Sequence, residues 1–122
     1  MTEAKNEVAK ANSVLPEFNA TAILDFTRRQ KTVRLKLEGS IRSKQVSVLR
    51  GFLKTIVDVP GNKWMLQLGE VDAINRQGLE ALARFAKQIR ERGHVVRITS
   101  IQRPLLTALS ELNLLSYFDL KK

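Results

Sequence analysis

The 122-residue chain contains no cysteine, one histidine, three prolines and seven aromatic residues. Without cysteine there is no disulfide framework and no thiolate metal site. That fits a reducing compartment, and the expected location is the cytoplasm. His94 is the only imidazole, so a metal site would lack a second one and a Ser–His–Asp triad would have to use it. Its place after Gly93, at a strand entrance, reads instead as a surface or capping position. Neither GxxxxGK[ST] nor GxGxxG occurs, which removes the two common phosphate-cradling loops. No apolar run approaches the ~20 residues of a bilayer span. The opening MTEAKNEVAKANSVLPEF lacks the apolar stretch of a secretory signal. Glu70 and Asp72 are two apart and read as solvated loop acids, not as an acid–base pair. Nothing assembles nucleophile, base and oxyanion donors. The expectation is a non-enzymatic protein with no catalytic residue, no metal ligand and no cofactor.

Acids are scarce too: 12 against 21 Lys and Arg, for a net charge of +9. A basic balance suits nucleic acid, anionic lipid or an acidic protein partner. Residues 32–60 hold six bases and two acids, and residues 61–102 hold seven and four. The excess is thus spread through the domain and is not a basic tail. No aromatic alternates with arginine as a base-stacking platform would require, which ranks nucleic acid below a protein partner.

What is present is a periodic α/β pattern in a length that suits one domain. Residues 1–16 are polar, with Ala4, Val8, Ala11 and Leu15 at helical spacing. Residues 1–19 are expected to be a flexible or weakly helical segment that docks on the domain or on a second copy, and residues 20–122 the domain itself. Ala22–Phe26 and Thr32–Glu38 read as strands of a hairpin around the polar Arg28–Lys31, ended by Gly39-Ser40. Residues 43–57 form an amphipathic helix with Ser43 as N-cap and Arg50 and Lys54 outward. Lys63–Leu68 is a strand whose apolar density suggests burial on both faces. A second helix spans about 75–92, with Leu79, Leu82, Phe85 or Ala86, and Ile89 inward and Gly93 beyond its end. Val95–Thr99 is a strand. Arg103-Pro104 opens a third helix that ends at Asn113, and Leu114–Phe118 is a short apolar element.

The informative segment is Val71 to Leu82. A strand leads through a tight loop into a helix N-terminus, which offers unpaired N–H groups and a partial positive charge. Asn75 can cap it. Arg76 then sits where a cation is disfavoured by ~0.3–1 kcal/mol, and it can receive a carboxylate or phosphate from a partner.

Here the sequence resembles a STAS domain. Leu66-Gln67-Leu68-Gly69-Glu70-Val71 resembles the family's LDLSGV-like strand end, and Asn75-Arg76-Gln77-Gly78-Leu79 occupies the place of its D-S-S-G-L loop. Arg90-Glu91-Arg92-Gly93-His94-Val95-Val96 is similar to its R-x-x-G-G-x-h turn, Ile101–Leu105 to its x-x-x-P-x-h helix start, and Leu109 with Glu111–Leu115 to its L-x-x-x-G-L. The resemblance covers about residues 20–120, through the order and spacing of all these segments. It implies an α/β fold: a STAS-like mixed β-sheet with helices packed mainly on one face.

It also implies an anti-sigma factor antagonist-like protein-interaction module, switched by partners such as an anti-sigma factor or GHKL-type kinase. The alternative is a constitutive STAS subunit of an ABC-type lipid-transport complex, docked on the ATPase. The family's phosphoacceptor is the second hydroxyl residue of the D-S-S-G loop. By position that residue is Gln77, which cannot be phosphorylated. Partner binding is then expected through Asn75, Arg76, Gln77 and Gly78, the face of the second helix bearing Glu80, Ala81, Arg84 and Lys87, and the neighbouring Gly39–Ser43 loop. Thr99, at the end of the fourth strand, resembles the phosphoacceptor threonine of stressosome-scaffold members and is a candidate phosphosite. A homo-oligomer is compatible with such assemblies.

Overall fold

Val33, Leu35 and Leu37 alternate with Arg34 and Lys36, and this period of two makes residues 31–41 a strand with one apolar face. A computed structural model describes the backbone of residues 4–12, 18–26 and 30–120, and side chains within 18–25 and 30–120. The elements run β1 (Ala4–Asn12), β2 (Phe18–Phe26), β3 (Lys31–Ile41), α1 (Ser43–Ile56), β4 (Lys63–Ile74), α2 (Arg76–Glu91), β5 (Val96–Ile101), α3 (Arg103–Glu111), a 3-10 turn (Leu115–Tyr117) and β6 (Phe118–Leu120).

The six strands form one mixed sheet in sequence order. β1, β2 and β3 are antiparallel neighbours, while β3, β4, β5 and β6 are parallel. The three parallel crossovers all step the same way across the sheet. Right-handed connections therefore put α1, α2 and α3 on one face, as expected.

That face holds the core. Trp64 is fully buried and meets Phe85 edge-on, with ring centroids 5.7 Å apart. Leu35, Leu66 and Ile98 continue the apolar row beneath Leu49, Ile56, Leu82 and Ile89 of the helices. The Trp64 indole N–H donates to the Gly61 carbonyl at 3.2 Å. Arg92, after the end of α2, reaches over the Trp64 ring and donates to the carbonyls of Val57 and Val59. It ties the end of α2 to the α1–β4 connection.

Several local expectations are corrected. Residues 4–12 are a strand on the edge of the sheet, not a weak helix, so the sheet includes part of the segment assigned to a flexible terminus. The cause is a bulge between Glu7 and Ala9. One extra residue breaks the period of two, and the apolar positions then imitate helical spacing. Leu15 and Pro16, and Arg28 and Arg29 of the expected hairpin connection, lie outside the described residues. β3 runs past Gly39 to Ile41 through two register shifts.

α1 is capped by Arg42 and not by Ser43. The Gln45 side chain accepts from the Arg42 N–H at 3.1 Å, and Ser43 is the first helical residue. β4 is buried on one face only: Trp64, Leu66 and Leu68 are covered, while Met65 and Gln67 are half-buried on the other side. The reason is that helices cover one face alone, and Met65 is flanked in register by Arg34 and Arg97, long side chains that shield an apolar neighbour. Glu70 and Asp72 belong to β4, not to a loop.

The open face is held by ion pairs. Arg34 Nε lies 2.6 Å from Asp25 Oδ2, Lys36 Nζ 2.9 Å from Glu70 Oε2, and Arg97 Nη2 2.7 Å from Asp119 Oδ2. The Asp25 carboxylate is only 3% exposed, and among the described residues no well-directed hydrogen bond reaches it. Charge, not hydrogen-bond geometry, is what Arg34 supplies.

Candidate functional site

The C-terminal ends of β3 and β4 deliver the chain to the start of α1 and α2, so the two helix N-termini sit side by side. β4 runs directly to Asn75, whose N–H donates to the Ile41 carbonyl at 3.0 Å. Asn75 keeps an extended backbone, and its Oδ1 accepts from the Gly78 N–H at 2.8 Å. The expected cap is therefore formed, and it satisfies one of the donors that a helix start leaves unpaired.

Gly78 is buried. A Cβ there would lie 2.7 Å from Ile74 Cγ1 and 3.2 Å from Ile41 Cγ2. The glycine lets the first turn of α2 close onto the ends of β3 and β4, and this fixes the turn as a rigid platform. Arg76 and Gln77 are exposed on it, with the Arg76 side chain 69% accessible. Arg76 Nε faces Glu80 Oε2 at 3.4 Å, one turn on.

Gln77 does not stand alone. With Asn75 it lines a shallow depression whose other wall is Ser43, Val46, Ser47 and Arg50 of α1. The structure thus joins the α2 turn to the start of α1, as the neighbouring-loop expectation requires at Ser43. The depression continues between the two helices into a cleft of about 280 Å3 with a floor of Leu53, Val57, Ala81 and Phe85. Its rims carry Arg50, Lys54, Arg84 and Gln88.

Ala81 is buried in that floor and is not part of an exposed face. Glu80, Arg84 and Lys87 border a further depression with Ala83, Leu114 and Tyr117. Sequence reasoning left Ser47, Arg50, Lys54 and Gln88 out of the site. Arg50 and Lys54 were legible as outward positions, but nothing in the sequence says that α1 and α2 lie side by side.

Thr99 lies apart from this site. It is half-buried where the β4–β5 register shifts, and its hydroxyl donates to the Leu66 carbonyl at 3.4 Å. The neighbouring Ser100 Oγ accepts from the Gly69 N–H at 3.2 Å, and Gln102 Nε2 donates to the Gly69 carbonyl at 3.0 Å. Side chains here replace ladder bonds that the shift removes.

The electrostatics of the helix starts are uniform. None of the three helices has an acid in its first turn, and Lys44, Arg76 and Arg103 lie there. Partial positive charge from the backbone and full charge from side chains therefore add at one end of the sheet. Among the described residues no group of three or more His, Cys, Asp or Glu could hold a metal ion. Gln77 offers an amide to a partner but no hydroxyl to a kinase. The arrangement can bind and orient an anionic or polar group.

A family model described as "Mlab, STAS domain" matches residues 24–116. No curated protein matches the chain. The matched stretch runs from β2 to the 3-10 turn before β6 and takes in the whole of the Asn75–Gly78 turn and both walls of the cleft.

Proposed function

The chain belongs to the STAS domain family, and we propose that it is a non-catalytic, anti-sigma factor antagonist-like module that binds a protein partner through the Asn75–Gly78 turn without phosphorylation there. The observation that carries this reading is the exposed Gln77 on a turn locked by the Asn75–Gly78 bond and by burial of Gly78. The position that would carry a phosphate in the family keeps its platform and loses its hydroxyl. A phosphate would bring a charge of −1.5 to −2 to this turn; with glutamine the surface stays as folded. Arg76, Glu80, Arg84 and Lys87 extend the contact along α2, and Ser43 joins from α1. The partner is an anti-sigma factor or GHKL-type kinase, met in the cytoplasm. Regulation by phosphate then falls to another residue, and Thr99 is that candidate.

A second reading is a constitutive subunit docked on the ATPase of an ABC-type lipid-transport complex. Gln77 favours it as well, because a contact with no switch suits a permanent subunit. The two are separated by capture of the tagged chain's partners from its native cells, with mass spectrometry naming the class. A GHKL-type kinase or sigma regulator supports the first reading and an ABC ATPase the second. Capture of neither overturns both.

A further inference from the structure

The surplus of positive charge is not evenly placed. On the open sheet face Arg34, Lys36 and Arg97 each meet a carboxylate. On the helical face α1 carries three bases and no acid, and α2 carries four bases against two acids. Around the cleft between them, Arg50, Lys54 and Arg84 are exposed, and among the described residues none has a carboxylate within ion-pair distance. Three unneutralised cations flank a floor of Leu53, Val57, Ala81 and Phe85.

We propose that the α1–α2 cleft takes an acidic amphipathic helix of a protein partner, laid along the two helices with its apolar stripe on Phe85 and Leu53 and its carboxylates on Arg50, Lys54 and Arg84. This deepens the interaction-module reading and rests on it. Arg50 and Lys54 are four residues apart on α1, and Arg84 and Gln88 four apart on α2, so each wall presents a polar group once per turn. A docked helix offering carboxylates at the same period meets both walls, in the helix-in-groove mode of recognition. The cleft is lined on the α1 side from Arg50 to Val57, a length of about 12 Å, enough for about two turns of a partner helix.

Charge complementarity chooses this occupant over the others. The floor residues are recessed, with Leu53 5% and Phe85 2% exposed, so no apolar anchor projects into a bilayer. No aromatic ring lines the rim for a base to stack on. A second copy would bring its own basic α1 and α2 against these.

The test is a 15N NMR titration of the full chain with four probes: an amphipathic peptide of leucine and glutamate at helical spacing, the same peptide with lysine for glutamate, phosphatidylglycerol vesicles, and a single-stranded thymidine oligonucleotide. The expected result is saturable binding of the glutamate peptide alone, with shifts confined to residues 46–57 of α1 and 77–88 of α2. The double variant Arg50→Glu/Arg84→Glu should weaken it about tenfold or more, while the amide spectrum elsewhere stays in place. Arg76→Asp, outside the cleft's lining, should weaken it by less than the double variant. Equal binding of the lysine peptide, a preference for vesicles or oligonucleotide, or shifts on the open sheet face would overturn the proposal. Native capture separates the two levels. A partner lost on Arg76→Asp but kept on Arg50→Glu/Arg84→Glu removes the cleft and leaves the turn. A peptide that titrates the cleft when no partner is captured upholds the cleft's chemistry and removes the functional reading.

Discussion

Arg76 Nε lies 3.4 Å from Glu80 Oε2, so a base placed against the dipole of α2 is answered from within the same helix. Both side chains are largely exposed, and such a pair is worth ~0.3–0.5 kcal/mol. The arginine is thus available to a partner at little cost to the fold.

Arg76→Asp should therefore leave stability nearly unchanged. It gives up that small pair and sets Asp against Glu80, but it puts an acid in the first turn, where one gains ~0.3–1 kcal/mol. Urea denaturation should show a change of no more than about 0.5 kcal/mol. A larger loss would mean that Arg76 is structural, and loss of binding in the variant would then say nothing about the surface.

Gly78→Ala acts on the platform itself. Its Cβ would sit 2.7 Å from Ile74 Cγ1 and 3.0 Å from Ile74 Cδ1. Overpacking at a buried turn costs about 1–3 kcal/mol, measurable as a lower denaturation midpoint. Gln77→Ala, exposed in the same turn, should cost almost nothing.

On the far side of the molecule, Arg34→Met strips the Asp25 carboxylate of the cation 2.6 Å away while the carboxylate stays buried. A buried charge that loses its partner costs about 3 kcal/mol. Asp25→Asn in the same chain should recover part of that loss, since no charge is then left uncompensated. Equal stability of the single and double variants would contradict this.

Lys36 titrates above the ordinary lysine value of 10.5, first because its ammonium donates to Glu70 and next because Glu38 and Glu70 lie close by. A pKa raised on folding stabilises the protein fully below the unfolded value and loses that effect as pH climbs through the folded one. The contribution from Lys36 should stay constant from neutrality through the range well below 10.5 and fall as pH climbs past that value. Side-chain NMR should find the midpoint above that value and Glu70→Gln should bring it down.

The fold was largely legible in the sequence because burial on a single face leaves a clean period. Val33, Leu35 and Leu37 announce β3, and Leu79, Leu82 and Ile89 announce α2. β1 was hidden because a bulge between Glu7 and Ala9 interrupts its alternation. The Asn75 cap and the exposure of Gln77 were legible because capping is local chemistry. The cleft was not, because its walls come from residues some 30 positions apart and meet only through the crossover that lays α1 beside α2. The burial of Ala81 was hidden for the same reason: at the edge of the α2 stripe, only the neighbouring helix decides that it is covered.

The central claim is that the Asn75–Gly78 turn holds a protein partner with no phosphate on it. Tagged wild-type chain and Arg76→Asp should be captured in parallel from the native cells, with the bound proteins quantified and phosphopeptides mapped by mass spectrometry. The prediction is one kinase-type regulator or ATPase enriched on the wild type and lost from the variant, with residues 75–78 unmodified. The same partner held equally by both chains, or a phosphate within that turn, would contradict it.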